Sequence, residues 1–288
     1  MNEQSYERIL RNFLNFAEEN ENIRAVVMVG SRARSHKTAD QWSDMDLVIV
    51  AQNPDLLLYQ ESWLGKVGKS YITFLEQTAV GDGTERRVLF EDGVDVDFSI
   101  IPLSVLQNLI HSDEVKAVFR KGYKVLLDKD QLTSFLEENT KAVQKSMVPL
   151  QEKDLRQLIH DFLYHAVLAA KKLRRGELLE GKSISDSYMK HQLVQLIRVQ
   201  TQIKRGGDAE TWHGYRFFEE WADSSVLQRF QDLYARYDQQ EIWIALKKTM
   251  MVFGEIAREV CASMDVSYPF VAERYANQLV SRLHRGIQ

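Results

Sequence analysis

Residues 26–50 constrain this chain more than any other stretch. They read Val-Val-Met-Val-Gly-Ser-Arg-Ala-Arg-Ser-His-Lys-Thr-Ala-Asp-Gln-Trp-Ser-Asp-Met-Asp-Leu-Val-Ile-Val. Two short β-branched runs, one before Gly30 and one after Asp46, predict buried strands at about 24–29 and 45–51. Gly30 lets the backbone approach a ligand closely where a side chain would block it. A short helix starting at Ser31 would turn its free N–H groups toward whatever lies above Gly30. Asp44 and Asp46 are two residues apart on extended chain, so they share a face. Paired carboxylates repel unless a cation sits between them. Hard oxygen ligands suit Mg²⁺, which keeps several waters and takes further ligands from phosphates. The chemistry points to a nucleotide site, and it is not a P-loop, because no G-x-x-x-x-G-K-[ST] occurs in the chain.

A second motif follows. Arg86 to Phe90 and Val94 to Ile101 flank Asp92-Gly93, a strong hairpin turn signal. On the second arm Asp95 and Asp97 share one face, and either offers a third carboxylate. After the first glycine, Ser31 offers a hydroxyl to a phosphate oxygen, and Arg32 or Arg34 offers a bidentate fork to a triphosphate. Trp42 either walls a nucleotide pocket or packs in the core beside its strand.

Gly-Ser, a spacer and Asp-x-Asp on a strand resemble the signature of the nucleotidyltransferase superfamily typified by DNA polymerase β. Leu89-Phe-Glu-Asp-Gly, Asp97 with Ile101-Pro102, and Val125-Leu-Leu-Asp-Lys-Asp130 are similar to the aminoglycoside 6-adenylyltransferases, and the resemblance extends more weakly over most of the chain. It implies that Asp97, directly before Phe-Ser-Ile-Ile-Pro, is the third metal ligand beside Asp44 and Asp46. It implies nucleotide contacts from Gly30, Ser31, Arg32 and Lys171. Asp161 matches a glutamate of the family and is the candidate general base, one methylene shorter. Its alternative is an ion pair on the helix face, and the basic run 171–175 has the alternative of simply complementing a helix terminus. Trp212-His213-Gly214 departs from the Gly-Lys pair of the family, which implies a different acceptor pocket.

The expected fold is α+β: a mixed-sheet nucleotidyltransferase domain over 1–145, then an all-α acceptor-binding domain over 146–288. Residues 4–19 form an amphipathic helix. A helix capped by Asn53-Pro54 runs to about 64, a strand covers 70–75, Pro102 opens a helix, 123–127 is a strand and 130–140 a helix. Helical patterns fill 152–175, 184–205, 224–236, 239–263 and 268–285, after a linker at 141–151. A net charge of −4 argues against a broad nucleic-acid surface. The lone Cys261 fits a reducing cytoplasm, and no leader pattern or membrane span is evident. The expected activity is Mg²⁺-dependent transfer of AMP from ATP to a hydroxyl of a cationic small molecule, an aminoglycoside such as streptomycin. The expected assembly is a monomer or homodimer. The alternatives are a protein or another small molecule as acceptor, and a non-catalytic nucleotide-binding module.

Overall fold

The computed structural model describes residues 3–78, 80, 83–109, 111–134, 136, 150–206, 211 and 215–286. The chain divides into two compact units, Met1–Gln144 and Lys145–Gln288.

In the first unit, strands β1 (Ile23–Val29), β2 (Met45–Ala51), β3 (Ser70–Gln77), β4 (Thr84–Phe90), β5 (Asp95–Pro102) and β6 (Lys124–Asp128) form one sheet in the order β3-β4-β5-β2-β1-β6. The pairing β2–β5 is parallel and the other four are antiparallel. Strand side chains alternate between faces. Met45, Leu47, Ile49, Val96, Phe98 and Ile100 therefore fall on one face, where helix α1 (Glu3–Glu19) covers them with Tyr6, Ile9, Phe13 and Phe16. Trp63 and Phe13 close on Phe98 at 5.1 and 5.0 Å between ring centroids. Fully burying one such aromatic contributes roughly 2–3 kcal/mol. The same alternation sends Asp46 and Asp97 to the opposite face.

The mixed sheet followed by helices is the expected α+β fold. The turn falls at Asp92 and Gly93, both at positive φ (61° and 74°). The helix expected from 53 to 64 is instead two single turns, Asp55–Leu58 and Leu64–Val67. The break has a cause: Arg86, buried on β4, donates to the carbonyls of Leu57 and Leu58, and Trp63 Nε1 donates to Leu57 O at 3.2 Å. Those acceptors are drawn away from a continuing helix. A helix at Asp113–Arg120, not expected, is capped by Ser112 and carries Asp113 and Glu114 in its first turn. Of the helix expected at 130–140, residues 130–134 form bends and turns and residue 136 is helical; the rest lies outside the described residues, as do most of the linker and Trp212-His213-Gly214.

The described residues of the second unit form helices joined by turns and loops, with no strand among them. Helices Glu152–Arg174, Met189–Arg205, Gln239–Ser263 and Phe270–Arg285 enclose a core that includes Phe162 stacked on Phe253 at 3.6 Å. The expected helix over 184–205 begins with a π-turn, Ile184–Tyr188. Among the described residues no helix is long and apolar enough to cross a membrane.

Candidate active site

Strand pairing sets the geometry. Asp46 lies directly opposite Asp97 in the parallel β2–β5 register, and Arg87 lies opposite Asp97 in the antiparallel β4–β5 register. A row Arg87–Asp97–Asp46 thus crosses three strands on the face away from α1. Asp44 joins it from the residue before β2. One oxygen from each of Asp44, Asp46 and Asp97 lies within 4.8 Å of the others. Asp97 is the most enclosed, 7% exposed. Burial pushes its carboxyl up to about 6, the charges of Glu85 and Asp44 add to the effect, and Arg87 opposes it.

That shift has a testable sign. A carboxyl raised in the folded state contributes stability at pH below its unfolded value near 4, and the contribution is lost as pH rises through about 6. In EDTA at pH 7, Asp97→Asn is therefore expected to be more stable than the wild type by about 1–2 kcal/mol, once the loss of the Arg87 partner is allowed for. The difference should vanish by pH 4 in paired thermal melts. A difference independent of pH would refute the charge origin.

Gly30–Arg32 is a single 3₁₀ turn. Gly30 has φ +70°, and a Cβ there would lie 1.9 Å from Asp46 Oδ2. The close approach that requires glycine is thus made by the protein's own Asp46 carboxylate. Ser31 is 4% exposed, and its buried Oγ has no hydrogen-bond partner among the described residues. An unpaired buried hydroxyl costs about 1–3 kcal/mol, so the position suits an oxygen-rich ligand. Three hard carboxylate oxygens beside such a hydroxyl fit a divalent cation carrying phosphate.

Arg32 is engaged within the protein. Its Nε and Nη2 donate to Asp44 O and Ser43 O, each at 3.0 Å, and its Nη1 pairs with Glu3 at 2.8 Å. The guanidinium also lies 3.6 Å from the Tyr6 ring centroid. In this structure the fork that the resemblance assigns to a triphosphate clamps the segment carrying Asp44. Asp95 accepts from Tyr6 Oη at 2.7 Å and stands outside the carboxylate group. Arg34 Nε donates to Lys37 O. Trp42 is 67% exposed and does not pack in the core. The turn before it, in which Asp40 Oδ1 accepts from Trp42 N and Ser43 Oγ, holds its backbone at the surface.

A cleft of about 590 Å³ opens beside Asp46, with Val48, Thr84, Glu85, Ser99 and Asn108 in its walls. Glu85 accepts from Ser99 Oγ at 3.0 Å. Glu85 and Arg87 were missed by sequence reasoning. The signal was available: reflection about Asp92 carries Asp97 onto Arg87, provided the turn length is known.

Asp161 and Lys171 lie in the second unit, on Glu152–Arg174. Asp161 Oδ2 accepts from Tyr188 Oη at 2.8 Å and Gln192 Nε2 at 2.6 Å, and Asp161 Oδ1 lies 2.6 Å from His165 Nδ1. The hydrogen bond to Asp161 raises the Tyr188 phenol above its usual range, since ionising it would place two charges together. Of these partners only His165, one helical turn on, was visible in the spacing. Lys171 is exposed, while its neighbours Lys172 and Arg175 both pair with Glu177 at 2.7 Å.

The mixed sheet, with carboxylates converging beside a Gly-Ser turn, belongs to a nucleotidyltransferase. More particularly, the family described as streptomycin adenylyltransferase matches residues 3–282, and the chain belongs to it. An aminoglycoside 6-adenylyltransferase of Campylobacter jejuni is 24% identical over 281 residues, covering 93% of this chain and 92% of that protein. One of Bacillus subtilis (strain 168) is 22% identical over 264 residues, covering 89% and 90%. The crystal structure of an aminoglycoside 6-adenyltransferase from Bacillus subtilis aligns over 96% of this chain and 97% of its own, at 17% identity and a TM-score of 0.46.

Proposed function

We propose that the protein transfers AMP from Mg²⁺-bound ATP to a hydroxyl of an aminoglycoside such as streptomycin. The observation that carries this reading is the convergence of Asp44, Asp46 and Asp97 beside the unpaired Ser31 hydroxyl. The names of the relatives support the acceptor class. Asp44, Asp46 and Asp97 would hold Mg²⁺, which would acidify the acceptor hydroxyl and neutralise charge on the leaving pyrophosphate.

The chain's own groups position the reaction. Ser31 Oγ donates to a phosphate oxygen, and the cleft beside Asp46 takes the nucleoside. The acceptor oxygen attacks the α-phosphorus in line, the bond from α-phosphorus to the bridging oxygen breaks, and pyrophosphate leaves. Arg32 keeps Asp44 in place through the carbonyls of Ser43 and Asp44. In the helical unit, Asp161 is the proposed general base, with Tyr188, Gln192 and His165 fixing its orientation. Lys171, exposed on the same helix, is the proposed phosphate contact of that unit.

The test is pyrophosphate release from Mg-ATP against a panel of aminoglycosides, followed by mass spectrometry of each drug. The expected result is one AMP adduct on a drug of the streptomycin class. Release without an adduct, or no release with any drug, would overturn the acceptor assignment and favour a protein or another small molecule.

A further inference from the structure

Arg87 is bound to carboxylates from three strands. Its Nη2 lies 2.5 Å from Asp97 Oδ2 on β5, and its Nε lies 3.2 Å from Glu85 Oε1 on β4 and 3.3 Å from Glu76 Oε2 on β3. Asp97 and Glu85 are largely enclosed, with side chains 10% and 13% exposed, whereas Arg87 is 40% exposed. Ser99 Oγ donates to the other oxygen of Glu85, so that carboxylate is fixed independently of Arg87.

We propose that Arg87 is the resident counter-ion of the metal-free site and sets the threshold for loading it with a divalent cation. The inference rests on reading Asp44, Asp46 and Asp97 as metal ligands. Three carboxylates within 4.8 Å of one another need positive charge nearby. With no metal bound, the guanidinium supplies it by occupying one oxygen of Asp97. An incoming cation competes with the guanidinium for Asp97. Arg87 is then retained by Glu85 and Glu76, both already within reach, so it is never left unpaired. Arginine suits this role because its planar fork serves two carboxylates at once. Arg87 is thus a positioning residue that trades cation affinity for stability of the empty fold.

The test uses Mn²⁺ alone, without nucleotide, titrated calorimetrically into the full chain. The comparison covers the wild type, Arg87→Gln and Arg87→Lys, with thermal melts in EDTA alongside. Removing one positive charge from beside a divalent cation should tighten Mn²⁺ binding about tenfold in Arg87→Gln. The same variant should melt lower than the wild type in EDTA. Arg87→Lys keeps the charge but loses the fork, and should fall between the two. It also carries the test if Arg87→Gln does not fold.

Mn²⁺ binding that is unchanged or weaker in Arg87→Gln would overturn the proposal and leave Arg87 as a support that orients Asp97. Arg87→Lys matching the wild type would overturn direct competition for the Asp97 oxygen. If the wild type takes up no Mn²⁺, or Asp46→Asn binds it as well as the wild type, the metal reading itself falls and the Arg87 proposal falls with it.

Discussion

Replacing Asp46 with Asn is expected to lower nucleotidyl transfer by about 10³-fold or more while leaving the fold intact. The substitution keeps the shape of the side chain and removes the charge. Asp46 sits at the middle of the row, opposite Asp97 on the neighbouring strand and within reach of Asp44. No other described carboxylate shares that position, and Asp95, the rival of Asp97 for the third place, is held by Tyr6. In the metal-free protein the change also relieves repulsion, so the melting temperature should hold or rise. Pyrophosphate release, thermal melts in EDTA and far-ultraviolet circular dichroism together decide the matter. Turnover near the wild-type rate would sink the metal-ligand assignment, and a collapsed melt would show that Asp46 is structural.

Replacing Gly30 with Ala is expected to damage stability and rate together. The backbone at φ +70° disfavours any side chain, and the new methyl group meets the Asp46 carboxylate, with Oδ2 at 1.9 Å and Cγ at 2.8 Å. Either the turn opens or Asp46 rotates out of the group. A stability loss of about 1–3 kcal/mol is expected from strain of this kind. Displacing a ligand by about an ångström should cost a further factor of roughly 10² in rate. Denaturant unfolding and initial-rate measurements read the two effects separately. A fully active Gly30→Ala protein would mean that this contact is not part of the working geometry.

Much of this was legible in the sequence, and the residues explain why. Strand β2 shows its limits because a β-branched run begins directly after a charged pair. The hairpin shows itself through Asp92-Gly93, the two residues that accept positive φ there. The long helices of the second unit repeat apolar residues at helical spacing, and only the π-turn at Ile184–Tyr188 interrupts the pattern. What stayed hidden depends on contacts distant in sequence. The break after Leu58 is made by a guanidinium 28 residues later. The parallel pairing of β2 with β5 brings together aspartates whose own neighbourhoods give no sign of each other. Arg32 looks like a free cation beside a glycine until the carbonyls of Ser43 and Asp44 and the ring of Tyr6 surround it.

The parallel register of β2 and β5 also bears on how such an enzyme diversifies. Asp46 and Asp97 face each other because two adjacent strands run the same way in step, at the fixed spacing of about 4.8 Å that backbone hydrogen bonding imposes. Their separation is set by the ladder rather than by the fifty intervening residues. The segment between β2 and β4, which includes the edge strand β3 and Pro54, Leu58 and Thr78 of the cleft wall, lies outside that ladder. Lengthening, shortening or resurfacing it reshapes what the cleft admits, while the distance between the two carboxylates stays as the sheet dictates.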